Sequence, residues 1–203
     1  MSSISAGNFT AHETGIEGLK VIEKIRHGDP RGYFVENYRA DMFKLLGIDF
    51  TPIQGNVSRN NTLVARGFHG EPWDKYCSVA LGSVYAGIVD ARAGSETFGR
   101  FQGFDLDEGL GLFVPEGCLN SYMTTTAHGP GENPVTIYSY LVSGYYDPAM
   151  AGKYPAVSLD DSEVAAPWPI PLDNVETSPK DRSSRTFADI RDAGGLVVGI
   201  AND

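Results

Sequence analysis

Residues 75–90 read KYCSVALGSVYAGIVD. They divide at Gly82 into two runs rich in β-branched and aromatic residues, Lys75–Leu81 and Ser83–Asp90. Runs of this length and composition, punctuated by glycine, are typical of β-strands joined by turns. The segment therefore predicts two consecutive strands.

The same pattern recurs along most of the chain. Further runs of this kind cover Gly18–Ile25, Gly32–Tyr38, Pro52–Ser58, Leu63–His69, Phe98–Leu106, Gly111–Pro115 and Thr136–Val142. Many short strands within 203 residues predict an all-β fold, a sandwich or a barrel with only a few short helices.

Helical periodicity is scarce by comparison. We predict one short helix over Arg39–Leu46, ended by Gly47 in the manner of a glycine stop. A second short helix is predicted near Ser184–Ala193.

The length predicts a single domain over residues 1–203. We expect an N-terminal arm over about residues 1–17 and a C-terminal arm with a short helix over about residues 166–203. The proline-rich, polar segment Ala166–Lys180 is expected to be extended and to cross the barrel surface.

The composition argues against several classes of protein. A net charge of −10 and a pI near 4.8 are unlike those of a protein that neutralises many phosphates along a nucleic acid. No window approaches the roughly 20 apolar residues of a membrane span. Cys77 and Cys118 have no metal-ligand spacing and are expected to be buried in a reducing compartment. We therefore expect no nucleic acid or membrane partner and a cytoplasmic location.

The first candidate site is RGFHGEPWDK, residues 66–75. In a strand ending at His69 the side chains alternate between faces, so Arg66 and His69 face one pocket only if the strand twists or bulges near Gly67. A lone histidine is usually structural, but this one lies among Arg, Glu, Asp and Lys residues. His69 is therefore a candidate base.

The second candidate site is FVPEGCLN, residues 113–120, which resembles the second cupin motif, a Pro-x-Gly followed by two residues and a histidine. Here Asn120 takes the histidine position, and His69-Gly70-Glu71 stands where a His-x-His pair and a later Glu are usual. A metal held in a cupin needs several neutral imidazoles and a carboxylate. We therefore predict a site without metal or cofactor that works by general acid–base catalysis and hydrogen bonding.

The third candidate site is YSYLVSGYYDP, residues 138–148. Strand alternation puts Tyr138, Tyr140 and Val142 on one face. Packing in the core is one interpretation of these tyrosines. The other is chemical, because a buried phenol opposite an imidazole is a natural donor for a two-sided proton exchange.

Together these segments resemble the dTDP-4-dehydrorhamnose 3,5-epimerases, which have a cupin-type jelly-roll fold. The resemblance runs from about Val21 to Asp181 and follows the family's order of motifs. The motifs are Asp29–Glu36, Gln54–Ser58, Arg66–His69, Val89–Arg92, Thr97–Gly99, Pro115-x-Gly117, Tyr140–Pro148 and Ser178–Asp181. Asn120 departs from the commoner members, which carry histidine there, and is shared with a subgroup from some Gram-positive bacteria.

The resemblance implies the catalytic roles. His69 would be the base, Asp181 would pair with it, Tyr140 would be the acid, and Lys75 would lie by the C4 keto oxygen to stabilise the enolate. A carboxylate on one ring nitrogen fixes the tautomer of a histidine and stabilises the imidazolium. One base and one acid on opposite faces of the sugar could then invert C3 and C5 in turn.

The resemblance also implies the substrate-binding residues. These are Arg31, Phe34, Glu36, Gln54, Asn56, Arg66, Asn120 and Lys180, with Tyr146 or its neighbour Tyr145 stacked on the thymine ring. Family members are dimers with an exchanged N-terminal strand, so Arg31 and Glu36 would complete the partner's site.

Three alternatives stay open at this stage. A mono-epimerase would act at C3 or C5 only, on another nucleotide deoxysugar. A cupin that binds a saccharide or nucleotide without turnover would not need His69, Lys75, Tyr140 and Asp181 together. A metal-dependent cupin oxygenase would need the histidines that the chain lacks.

Overall fold

A computed structural model describes residues 2–129 and 131–199. The strands are β1 Ser3–Ala6, β2 Phe9–Glu13, β3 Lys20–Lys24, β4 Arg26–Asp29, β5 Gly32–Val35, β6 Gln54–Asn60, β7 Ala65–His69, β8 Lys75–Leu81, β9 Val84–Asp90, β10 Phe101–Leu106, β11 Leu110–Val114, β12 Cys118–Thr124, β13 Thr136–Val142 and β14 Ala156–Val157. The α-helices are α1 Ala40–Leu45, α2 Pro179–Arg182 and α3 Phe187–Asp192, with 3-10 turns at Pro148–Met150 and Leu172–Asn174. The all-β prediction is confirmed.

The strands form two antiparallel sheets and a separate ribbon. The large sheet has seven strands in the order β1-β2-β3-β11-β8-β13-β6, and the small sheet has five in the order β10-β9-β12-β7-β14. The ribbon consists of β4 and β5, which pair only with each other.

A hydrophobic core draws side chains from both sheets. Cys77 and Val79 of β8 meet Val84, Ala86 and Ile88 of β9 in one buried cluster. These residues alternate along their strands, as the period of two requires. Burying a valine or isoleucine of this kind contributes about 1.5–3 kcal/mol.

The helix predictions are confirmed with small shifts at their ends. Helix α1 lies within the predicted Arg39–Leu46, and Gly47 follows it with φ of 75°, a left-handed conformation that favours glycine. Helix α3 lies within the predicted Ser184–Ala193, where Thr186 and Asp189 form a capping box.

Several elements were not predicted. Strand β12 reads CLNSYMT, which has few β-branched residues, yet it lies at the centre of the small sheet and is buried along most of its length. Tertiary burial decides its conformation rather than local propensity. Strands β1 and β2, within the expected N-terminal arm, form a hairpin that joins the large sheet next to β3. Residue 1 of that arm and residues 200–203 of the expected C-terminal arm lie outside the described residues.

The topology brings the candidate strands together. Strands β8, β13 and β6 are neighbours in the large sheet, and β12 and β7 are neighbours in the small sheet. Helix α2 contacts β7. Within the described ranges, no helix combines the length and apolar character needed to cross a membrane.

Candidate active site

One cavity of about 400 Å³ is lined by both sheets. Its wall is formed by Gln54, Asn56, Ser58, Arg66, Gly67, His69, Glu71, Trp73, Lys75, Asn120, Tyr122, Tyr138, Tyr140, Val142, Tyr146, Ser178, Lys180 and Asp181. All of the predicted site residues line it except Arg31, Phe34 and Glu36. Five separate segments of sequence, residues 54–58, 66–75, 120–122, 138–146 and 178–181, therefore converge on one pocket.

A bulge in β7 lets His69 and Arg66 face this cavity together. Asn120 lies opposite His69 and Tyr122 lies opposite Arg66, so three steps along β7 match two steps along β12. The extra residue interrupts the alternation of faces. The predicted bulge near Gly67 is confirmed.

His69 and Asp181 form a hydrogen-bonded pair. His69 Nε2 lies 2.7 Å from Asp181 Oδ1, and the Asp181 side chain is almost fully buried. Helix α2 holds the carboxylate in place because the Ser178 hydroxyl caps the helix by accepting a hydrogen bond from the Asp181 amide. A Cβ atom on residue 67 would lie only 2.7 Å from Asp181 Oδ1, so α2 can approach β7 only at a glycine.

The environment of Asp181 keeps it ionised. Burial favours the neutral acid, but hydrogen bonds from His69, Ser178 and the Gly67 amide outweigh it and lower the pKa of the carboxyl group. The anion therefore faces Nε2 of the imidazole. The other ring nitrogen, Nδ1, has no hydrogen-bond partner within residues 2–129 and 131–199.

Tyr140 reaches the cavity from the large sheet. It lies on β13 between Asn56 of β6 and Cys77 of β8. Burial, and then the negative charge of Glu71, raise the pKa of its phenol to about 12. Tyr140 therefore carries its proton at neutral pH, as an acid must. Tyr138 and Val142 line the same cavity, which confirms the predicted shared face.

Lys75 lies in the cavity wall beside an acidic residue. Its side chain is 7% exposed and contacts the carboxylate of Glu71, which is 17% exposed. Glu71 is a cavity residue that the sequence analysis did not select, although its position four residues before Lys75 was visible in the sequence.

Two aromatic side chains of the cavity wall were also missed. Tyr122 stacks on Tyr138 with ring centroids 4.1 Å apart. Trp73 packs edge to face on Tyr154 at 5.5 Å. Tyr122 lies on the unpredicted strand β12 and Trp73 lies in a loop, so alternation could not identify either of them.

The polar end of the cavity is lined by edge strand β6. Gln54 donates a hydrogen bond to Asn56 Oδ1 at 2.9 Å and accepts one from the Tyr146 amide at 3.0 Å. Tyr146 lines the cavity, whereas its neighbour Tyr145 does not. Arg66 donates to Asn60 Oδ1 at 3.0 Å.

Asn120 occupies the wall opposite His69. Its amide donates a long hydrogen bond of 3.4 Å to the Ser121 carbonyl. In the part of the chain that the structure describes, no three His, Cys, Asp or Glu side chains are grouped as metal ligands would be.

Arg31, Phe34 and Glu36 lie away from the cavity of their own chain. Arg31 is 90% exposed and pairs with Asp29. Phe34 is 65% exposed, and Glu36 accepts a hydrogen bond from Asn8. The physical reason is that the β4–β5 ribbon, which carries Arg31 and Phe34, pairs with neither sheet. Within one chain, these three residues are not brought together with the other predicted substrate-binding residues.

Comparisons with known proteins agree on one family. Residues 13–189 match the model of the dTDP-4-dehydrorhamnose 3,5-epimerase family. A protein from Streptococcus pyogenes named as an RmlC homolog is 35% identical over 184 residues, which cover 87% of this chain and 88% of that one. The dTDP-4-dehydrorhamnose 3-epimerase of Streptomyces niveus is 34% identical, covering 90% of this chain and 86% of its own.

A solved structure extends the likeness to three dimensions. RmlC from Streptococcus suis, in complex with dTDP-D-xylose, superposes with a TM-score of 0.82 at 32% identity. The match covers 94% of this chain and 96% of that one. The predicted cupin-type fold is confirmed.

Proposed function

This chain belongs to the dTDP-4-dehydrorhamnose 3,5-epimerase family, and we propose that it inverts C3 and C5 of dTDP-4-dehydro-6-deoxy-D-glucose to give dTDP-4-dehydro-L-rhamnose. The observation that carries the proposal is the pair His69–Asp181 on one side of a cavity and the protonated Tyr140 on the other. An isomerase of this kind needs a base and an acid on opposite faces of its substrate.

The base acts beside the ketone. Protons on C3 and C5 are acidic because the C4 carbonyl delocalises the resulting charge. Nδ1 of His69 takes each proton, and the Asp181 carboxylate on Nε2 stabilises the imidazolium that forms.

The intermediate is an enolate whose oxygen carries the negative charge. The ammonium of Lys75 stabilises that oxygen in a site largely shielded from water, where such an interaction is stronger than in solution. Tyr140 then donates its proton to the opposite face of the carbon, which completes the inversion. Before the second centre reacts, exchange with solvent removes the proton from the His69 imidazolium and returns one to the Tyr140 phenolate.

The nucleotide is held at the polar end of the cavity. Arg66 and Lys180 supply positive charge for the diphosphate, and the planar fork of arginine suits phosphate oxygens. Gln54, Asn56 and Asn120 offer amide groups to the substrate. Tyr146, which is 48% exposed at the cavity, stacks on the thymine ring.

The ribbon acts in a homodimer. In this proposal the partner chain inserts its β4–β5 ribbon at the cavity, so that its copies of Arg31, Phe34 and Glu36 complete the nucleotide site. Phe34 and Tyr33, exposed by 65% and 47%, support this because apolar side chains on a projecting ribbon are expected to be covered.

The two cysteines support a cytoplasmic location. Cys77 and Cys118 are both buried as free thiols. Free thiols of this kind are usual where the compartment is reducing.

A second candidate reaction is inversion at C3 alone. The observation that favours it is the 34% identity to the Streptomyces niveus protein, which is named a 3-epimerase. Both reactions use the same base and acid. They differ in whether the sugar can present C5 to His69 after C3 has reacted.

Solvent exchange separates these reactions. The protein is incubated with dTDP-4-dehydro-6-deoxy-D-glucose in heavy water, and deuterium is read at C3 and C5 by NMR. We expect incorporation at both positions; incorporation at C3 alone would select the mono-epimerase, and none at either would exclude both.

His69→Asn tests the base in the same assay. We expect exchange at both carbons to fall about 10³-fold or more, because no other imidazole lines the cavity formed by the described residues. His128→Asn, a change in an exposed loop, is the matched control and should exchange normally. Near-normal exchange by the His69 variant would assign the base to another group.

A further inference from the structure

Glu71 is the acidic side chain that lies against Lys75 in the cavity wall. The two groups form an ion pair across four residues of sequence, and both are largely shielded from solvent. Glu71 Oε2 is buried and has no hydrogen-bond partner among the described residues, and its contact with the Lys75 ammonium is an ion pair. The loop that carries Glu71 is packed tightly, because a Cβ on Gly70 would lie 2.6 Å from the Leu119 side chain.

A buried ammonium needs such a partner. Removing a lysine from water favours its neutral form, since the charged form loses its hydration. The other charged groups of the cavity do not compensate. Arg66 and Lys180 are cations, and Asp181 is hydrogen-bonded to His69.

We propose that Glu71 is a positioning residue, which holds the Lys75 side chain in place as an ammonium where the enolate forms. The inference rests on the proposed function for the identity of the enolate. The ion pair itself is independent of the substrate. A neutral or displaced Lys75 would leave the developing charge on the enolate oxygen without its electrostatic partner.

Tyr140 links the same carboxylate to the acid. The negative charge of Glu71 adds to burial in raising the pKa of the Tyr140 phenol. The carboxylate of Glu71 therefore acts on two cavity groups: it contacts the Lys75 side chain, and it adds to burial in favouring the protonated phenol of Tyr140.

The first test measures Lys75 directly. Protein labelled with ¹³C at lysine Cε is titrated by NMR, and the Lys75 signal is assigned by its absence in Lys75→Met. In Glu71→Gln, which keeps the shape but removes the charge, we expect the titration midpoint of Lys75 to fall below its midpoint in the native protein, because the opposite charge is lost. An unchanged midpoint would overturn the proposal.

The second test measures the reaction. We expect Glu71→Gln to slow deuterium exchange about tenfold, with little change in KM, because the group acts on the intermediate rather than on binding. The alkaline limb of its pH–rate profile should move to lower pH. Glu71→Asp, which restores the charge, should recover part of the rate. Its alkaline limb should lie at higher pH than that of Glu71→Gln.

Glu116→Gln is the matched control. Glu116 lies with Glu71 around a neighbouring cavity of about 190 Å³ but does not line the cavity that holds Lys75. Glu116→Gln should leave the pH–rate profile of exchange unchanged. If native protein exchanges no deuterium, the proposed function fails; if native protein exchanges and Glu71→Gln has a native profile and midpoint, the inference alone fails.

Discussion

The proposed role of His69 as a base rests on the groups around its imidazole. Asp181 fixes one nitrogen at 2.7 Å and stays ionised despite burial. Tyr140 lines the same cavity, and burial raises the pKa of its phenol to about 12. The contact of His69 with an ionised carboxylate and the raised pKa of the Tyr140 phenol support the proposed roles of base and acid.

Tyr140→Phe tests this assignment. The change keeps the ring but removes the phenol donor, so His69 should still exchange protons with solvent on its own face while inversion falls about 10²-fold. The measurement is the ratio of deuterium exchange to L-configured product within one reaction. A ratio equal to that of the native protein would remove Tyr140 from the acid role.

Tyr38→Phe is the matched control for that experiment. This change also removes a phenol hydroxyl, which in the native protein donates a hydrogen bond to the Phe50 carbonyl at 2.9 Å. Tyr38 packs against a separate hydrophobic cluster. Its exchange ratio should be native.

Candidate site residues could be identified from the sequence where a side chain able to transfer a proton lies on a predicted strand. His69, Lys75 and Tyr140 lie on predicted strands. Glu71 follows the end of its strand, so no periodicity assigns its direction, and only the fold shows that it meets Lys75. Arg31, Phe34 and Glu36 were selected through the family resemblance, and one chain alone does not bring them to the cavity.

At the level of elements, the contact between strand β7 and helix α2 brings Asp181 to His69. The helix has only four residues, too few to show a helical period, so the sequence could not reveal it. What the sequence did show is Gly67, the residue that lets the helix approach.

Gly67→Ala tests that contact. The new methyl group would lie 3.0 Å or less from three atoms of Asp181, so the helix or the carboxylate must move. We expect exchange to fall about 10²-fold, since small displacements of catalytic groups have effects of this size. Gly152→Ala, where nothing lies within 4 Å of the added atom, should be close to native. Native exchange by Gly67→Ala would mean that the pair tolerates the displacement.

The end of strand β9 is held by a buried carboxylate. Asp90 accepts hydrogen bonds from Arg92, Ser95 and Thr97, with distances of 2.6 Å, 2.6 Å and 2.5 Å to its Oδ2. Burial opposes its ionisation, but these bonds outweigh burial and lower the pKa of Asp90 to about 2. The loop after β9 is therefore tied to the small sheet by an ionised group.

This network predicts a pH dependence of stability. The pKa of Asp90 is lower in the folded state, so its contribution of about 2 kcal/mol is present above pH 4 and is lost as the pH falls towards 2. The difference in unfolding free energy between native protein and Asp90→Asn, measured in urea, should therefore shrink over this range. Asp173→Asn, at a side chain that is 98% exposed, should show no such trend. A constant difference for Asp90→Asn would contradict the assignment.

For the whole molecule, the fold class followed from composition and alternation, and the order of strands did not. The large sheet joins β3 to β11 and β8 to β13, pairings between residues far apart in sequence. Such pairings depend on the packing of entire sheets, to which local propensity contributes little. The ribbon β4–β5 is the part of the molecule that pairs with neither sheet of its own chain.

Mixing inactive variants tests the shared site. His69→Asn and Arg31→Ala are each expected to be inactive, but a hybrid dimer would contain one site with an intact cavity and an intact partner ribbon. Unfolding and refolding an equal mixture should restore roughly a quarter of native activity if the ribbon is exchanged.

A second mixture is the control. His69→Asn and Tyr140→Phe both lie in the cavity of their own chain, so no hybrid site is complete and no activity should return. Recovery in neither mixture would mean that each ribbon serves its own chain or none.

The distance in sequence between His69 and Asp181 also has a consequence for protein synthesis. The two residues are 112 positions apart, and the strands of both cavity walls precede α2 in the chain. At the usual speed of a ribosome, Asp181 emerges on the order of ten seconds after His69. During that interval the nascent chain has an imidazole without its carboxylate, and so it cannot turn over substrate. In the proposed mechanism, turnover therefore requires that α2 has been translated and has docked against β7, however early the two sheets form.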